Sequence, residues 1–133
     1  MAEVEQGVFA RLSGQAGVTA IVGTKIYPLI APPDASLPFV VCTKISDIKH
    51  HAVSNDISLT VARVQVDSMS TSHAQAISLS HAVRVALQDY AGTTGGVGFQ
   101  RIFLEDRTNL SEFDIDSGKT THRISQDFKC WYS

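Results

Sequence analysis

The sequence predicts an α+β domain: a mostly antiparallel sheet of about four to five strands packed against one long helix, with a short N-terminal helix beside them. Three observations carry this expectation. Residues Ile57 to Met69 alternate, with Ala62, Val64 and Val66 set against Arg63, Gln65 and Asp67, the pattern of a strand with one buried and one wet face. Ala76, Leu79, Val83, Ala86, Leu87 and Tyr90 recur at helical spacing as a single stripe. Strand-like runs lie on both sides of that helix in the sequence, which places them in one sheet beneath it.

The elements follow in order. Val4, Val8 and Leu12, with Phe9 nearby, predict an amphipathic helix over residues 3–13 ending near Gly14. Gly7 inside it costs about 1 kcal/mol of helix propensity. One or two further turns cover Val18 to Val22 and close at Gly23, and Lys25 to Ile30 reads as a short strand. Pro32 and Pro33 stop that strand, because proline has no amide for a sheet ladder. Leu37 to Ser46 is a strand with Phe39, Val41, Thr43 and Ile45 on one face. Residues 47–57 are polar and turn-rich and read as a hairpin tip. Ser72 and Gln75 match a capping box at the start of the main helix, with Gly92 as its terminator. Thr93 to Gly98 reads as a glycine-rich loop before a strand over 99–105, followed by a polar excursion from Glu105 to Thr120. The last strand, 121–132, places Ile124, Phe128, Cys130 and Tyr132 opposite Arg123, Asp127 and Lys129. Val64, Val66, Leu79, Val83, Leu87, Ile124 and Phe128 are the expected core.

Composition narrows the function. The chain has 133 residues, which suits a single domain over 1–133. Its 44% hydrophobic and 18% charged content is that of an ordinary folded protein. The formal net charge is -2 and the basic residues are scattered, so the basic stripe that direct nucleic-acid binding requires is missing. No apolar run approaches the ~20 residues of a membrane span. The acidic start, Met1-Ala-Glu-Val-Glu-Gln, does not resemble a signal peptide. The expectation is a protein of a reducing cytoplasm until assembly, with Cys42 and Cys130 as buried thiols.

The chemical motifs fail one by one. Ser117-Gly-Lys-Thr120 resembles the end of a phosphate loop, but Phe113 stands where that loop needs its first glycine and a strand follows instead of a helix. The glycines of 92–98 follow a helix, so no helix N-terminus stands behind them to hold a dinucleotide. Asp114-Ile-Asp116-Ser-Gly118 lacks the third acidic position and the closing glutamate of a calcium loop. His50 and His51 are adjacent and point to opposite faces of a strand. His73 and His81 stand about 12 Å apart along a helix, too far to share a metal. No serine sits in a Gly-x-Ser-x-Gly elbow, and nothing in the sequence puts one of the carboxylate neighbours in an apolar pocket. The sequence therefore offers no catalytic residue, no cofactor site and no metal site.

A resemblance remains, and segment order carries it. Ile26-Tyr27-Pro28, Leu37-Pro38-Phe39-Val40-Val41, Gln65-Val66-Asp67, His73-Ala74-Gln75-Ala76 and Asp127-Phe128 follow one another at spacings that resemble the tail-completion, or tail-terminator, proteins of long-tailed phages with non-contractile tails. The likeness spans nearly the whole chain, while the His50-His51 neighbourhood and the Glu105–Thr120 segment depart from it. It implies a structural virion protein, not an enzyme. Such a subunit assembles with itself as a ring of six on the head-proximal end of the tail tube, stops tube polymerisation, and presents a surface to the head connector. A head-closure or adaptor protein on the connector side is the alternative. The expected partners are other copies, the tail tube protein and the connector protein. On this reading Arg63, Gln65 and Asp67 are candidates for a subunit interface, or else face solvent. His50, His51 and Asp56 in segment 47–57 are candidates for tail or connector contacts, with plain surface loops as the alternative. The same two readings apply to Arg107, Asn109, Glu112, Asp114 and Asp116 in segment 105–119.

Overall fold

The computed structural model describes residues 3–28, 36–51, 56–114 and 118–132. Three helices form: α1 (Val4–Ser13), α2 (Ala16–Val22) and α3 (His73–Leu87). The Glu3 amide donates to Gln6 Oε1 at 3.1 Å and so fixes the start of α1. At α3 the Gln75 amide donates to Ser72 Oγ at 3.3 Å, one half of the expected capping box. The other half is rerouted, because Gln75 Oε1 accepts from Ser70 Oγ at 2.6 Å and Ser70 Oγ accepts from the Ser72 amide. The end of α3 also differs from expectation. It stops at Leu87, and Asp89, at φ 62, turns its amide to the Ile102 carbonyl at 2.8 Å.

Among the described residues there are also seven strands: β1 (Ile26–Pro28), β2 (Phe39–His51), β3 (Asp56–Ser70), β4 (Gly92–Thr94), β5 (Val97–Asn109), β6 (Glu112–Asp114) and β7 (Lys119–Tyr132). The expected strand stop at Pro32 and Pro33 lies outside the described residues. Gly92, expected to terminate the helix, instead opens β4. The expected glycine-rich loop is a hairpin turn at Gly95 and Gly96, both at positive φ, as a two-residue turn between twisted strands requires. The strand order is β1-β2-β3-β7-β5-β4, with β6 also on β7.

This overturns the expected α+β layout of one long helix on four to five mostly antiparallel strands. The sheet is mixed, since β1 runs parallel to β2, and it curls into a half-barrel with three short helices against it. The reason lies in the polar segments. Residues 47–51 and 56–57, read as a hairpin tip, belong to β2 and β3, which pair from Phe39↔Met69 to His51↔Asp56. Residues 105–114, read as an excursion, extend β5 and then β6, which keep one register on β7 from Asp106↔Asp127 through Asn109↔Ile124 to Glu112↔Thr121. Backbone ladders hold these stretches, so they need no apolar alternation and give no periodic signal.

The two hairpins leave the sheet at opposite ends. β3 has its last partner on β7 at Thr60↔Tyr132, so Asp56–Leu59 extends beyond β7 with β2 alone. At the other end β3 stops at Ser70↔His122, and Lys119–Thr121 continues with β6 alone. Because β2 and β7 are each antiparallel to β3, the end of β2 at His51 and the start of β7 at Lys119 lie toward opposite ends of the sheet.

All three helices feed one cluster. Val4, Val8, Leu12, Val18, Leu79, Val83 and Leu87 pack on Val40, Cys42, Ala62, Val64, Val66, Ile102, Phe128 and Cys130. Every residue of the expected core is buried. Cys42 and Cys130 are buried free thiols on the two strands flanking β3, and burial pushes each thiol up to about 12. A hypothetical Cβ on Gly7 would lie 2.8 Å from the Phe99 ring and 2.9 Å from Val97 Cβ, so Gly7 is where α1 rests on the β4–β5 hairpin.

Two outcomes are expected. Gly7→Ala gains about 1 kcal/mol of helix propensity but overpacks a filled contact at about 1–3 kcal/mol. Urea unfolding should therefore show a net loss of stability, and a gain would mean that α1 does not press on Phe99. A thiol reagent added to the folded protein should label neither cysteine until denaturant unfolds it. Fast labelling under native conditions would contradict the burial of both.

Candidate docking surfaces

The helices occupy one face of the sheet, and among the described residues none covers the other. This open face carries Arg63, Gln65 and Asp67 from β3 beside Arg123, Ser125, Asp127 and Lys129 from β7. Asp67 is only 7% exposed and its carboxylate is fully engaged. It accepts from Arg123 Nη2 at 2.9 Å and from Gln65 Nε2 at 3.0 and 3.2 Å. These are charge-assisted bonds, one across from β7 and two along β3 itself, and they stiffen the face. Asp67 and Gln65 are therefore committed within the subunit, while Arg63 is exposed and, among the described residues, pairs with no carboxylate.

Arg63 stands directly opposite Lys129, and next to Ser46 on its other side. Ser46, Val61, Arg63, Glu105 and Lys129 line a shallow groove of about 190 Å³. The Lys129 ammonium lies 5.4 Å from the Trp131 ring. Phe103, paired with Lys129 in the ladder, is a large apolar side chain 39% exposed. The sequence assigned Lys129 to a wet strand face, yet only the β3–β7 register reveals that it neighbours Arg63.

The root of the β2–β3 arm is tied to α1. Lys44 Nζ bonds Glu3 Oε2 at 3.0 Å and Asp47 Oδ2 at 3.3 Å, and the Tyr132 hydroxyl donates to the same Asp47 oxygen at 3.3 Å. The Glu3 hydrogen bond foremost holds the Lys44 ammonium above its usual range. Partial burial, then the Asp47 carboxylate, raise the Tyr132 phenol. Further out, His50 faces Leu59 and His51 faces Asp56 in the ladder, which puts these three candidates on one arm.

The other arm carries the second group. Arg107 Nη2 donates to Ser80 Oγ at 3.0 Å, joining β5 to α3. Asn109 Oδ1 accepts from the Ser111 amide at 3.1 Å and from its hydroxyl at 2.6 Å, closing the strand edge with side-chain bonds. Arg107 and Asn109 line a groove of about 290 Å³ with His73, Ile77 and Ile124. The His73 and His122 rings meet edge to face at 5.3 Å. Glu112 and Asp114 sit on β6, and Asp116 lies outside the described residues. Among the candidates whose side chains are described, Arg63 lines one groove and Arg107 and Asn109 line another. Among the described residues, no three of His, Cys, Asp and Glu come together as a metal site would require.

No curated protein matches the chain. A solved structure does, a chain of the "Virion of native gene transfer agent (GTA) particle", with a TM-score of 0.75 at 16% identity, covering 97% of this chain and 93% of that one. At that identity the likeness is one of fold. The family described as tail completion protein gp17 matches residues 6–133, nearly the entire length. The chain therefore belongs to the tail completion protein gp17 family and is a structural protein of the phage tail.

Proposed function

We propose that the protein forms a ring of six copies on the head-proximal end of the tail tube, where it ends tube polymerisation and joins the tail to the head connector. The observation that carries this reading is the opposed direction of the two hairpin arms. A head-to-tail contact repeated around an axis closes a ring whose two faces differ chemically. A subunit with an arm at each end of its sheet supplies such a ring with one docking element per face. His50, His51 and Asp56 serve one face, and Arg107, Asn109, Glu112, Asp114 and Asp116 the other. Long hairpins suit this task because their ladders rest on the same sheet as the core, while Asp56–Leu59 and β6 each pair with one strand only.

The part is structural, and no step of it needs bond chemistry. The virion tail is its final location, reached after assembly in the host cytoplasm. Its partners are other copies of itself, the tube protein and the connector protein.

Two measurements test this. The native mass of the purified protein, followed over a concentration series, should reveal a discrete species of six 14.4 kDa protomers. In a phage lacking the protein, electron microscopy should show overlong tail tubes unattached to heads. Tails of normal length beside heads that leak DNA would instead assign the protein to head closure.

A further inference from the structure

Two histidines outside the docking candidates meet where α3, β7 and the turn after β5 come together. The His73 and His122 rings pack edge to face with centroids 5.3 Å apart, His73 exposed and His122 half-buried. Hydrogen bonding fixes the proton on His122. The Ser111 amide donates to Asn109 Oδ1, and the Ser111 hydroxyl, 2.6 Å from the same oxygen, must give it the only proton it has. Ser111 Oγ is then the acceptor for His122 Nδ1, 3.3 Å away, so Nδ1 carries the ring proton and Nε2 is the atom that titrates. Charging this ring therefore leaves the bond to Ser111 in place and acts on the contact with His73.

We propose that the His73–His122 pair is a pH-sensitive latch: it ties the start of α3 to β7 while the rings are neutral and opens when both are cationic. Histidine changes charge between about pH 5 and 8. At this separation the repulsion of two unit charges is as large as the attraction of an edge-to-face ring pair, or larger. The surroundings add to it. His73 is the first residue of α3, at the positive end of the helix dipole, and no acidic residue stands in that turn. Arg107 of β5 lines the same groove as His73. Neighbouring carboxylates are committed elsewhere. Asp106 accepts from the Arg107 amide and the Thr108 hydroxyl, and Asp67 from Arg123 and Gln65. β6 brings Glu112 and Asp114 to Thr121 and Lys119, positions that alternate with His122 along β7. β3 contributes the uncharged Ser68 and Ser70 opposite Ile124 and His122. The contact is thus present at neutral and higher pH and is lost as pH falls. His73 forms one wall of the groove that holds Arg107 and Asn109, so its release widens that groove. That the widening regulates a docking element rests on the ring reading above.

The test is NMR spectroscopy of the isotopically labelled full chain, titrated from about pH 8 to about pH 5. At the upper end, ring-nitrogen spectra should show His122 in the Nδ1–H form, with a cross-peak between the two rings. At the lower end that cross-peak should vanish, while the amide resonances of Val64 and Phe128 in the core hold their positions. His73→Phe keeps a ring that cannot charge, and a cation beside such a ring is attracted to it. In this variant the contact should persist at the lower end. His73→Ala removes the ring, and its Ile77 amide at the upper end should match that of the parent at the lower end. The Nε2–H form of His122, a ring contact that survives acid in the parent, or one lost equally in His73→Phe would each overturn the proposal. None of these signals depends on the ring of six, which the native-mass measurement tests separately.

Discussion

The whole molecule depends on one ladder, the antiparallel pairing of β3 with β7. It runs from Thr60↔Tyr132 to Ser70↔His122 in unbroken register, whereas the β2–β3 and β5–β7 pairings each contain shifts. Because these two strands are central, every side chain they present is sorted at once. Ala62, Val64, Val66, Phe128 and Cys130 go beneath the helices, and Arg63, Gln65, Asp67, Asp127 and Lys129 go to the open face. A slip of one residue would send the charges inside, and burying unpaired charge costs far more than the ladder returns. The same ladder joins the two hairpins, so it also sets their opposed directions.

Helix packing then decides what is left over. With all three helices on one face, hydrophobic burial is concentrated there, and the close approach at Gly7 shows how little space remains between α1 and the β4–β5 hairpin. The open face receives no cover from the subunit's own helices. Part of it is made rigid by Asp67, Arg123 and Gln65, and part sets Arg63 directly opposite Lys129. A structural protein of the phage tail must hold its shape alone and still complete itself against neighbours. Here the two requirements fall on different stretches of the same strands.

The arms follow a different physical logic from the core. Along Asp56–Leu59 and along β6 the chain is held by one neighbouring strand only, and its backbone bonds, not burial, define its course. The arm roots are anchored by polar ties, Lys44 to Glu3 and Asp47 on one side and Arg107 to Ser80 on the other. Such ties are worth little as stability because they are partly solvated. Their effect is directional, in that they hold each arm root against α1 or α3.

The sequence by itself determined the core, the principal helix and the two faces of β3 and β7, because burial imposes a period of 3.6 or 2 that composition displays directly. It determined the two buried thiols as well, and its segment order was enough to point to the family. It did not determine the extent of β2, β5 and β6, since strands held by backbone ladders outside the core carry polar residues that read as loops. The short strand read at Lys25 to Ile30 is there as β1, but nothing in the sequence shows that it runs parallel to β2. Arg63 meets Lys129, and Asp67 meets Arg123 across 56 positions of chain, only through register. Register is a property of paired strands, and no stretch of either strand contains it; that is why the tertiary structure alone decided where the charges meet.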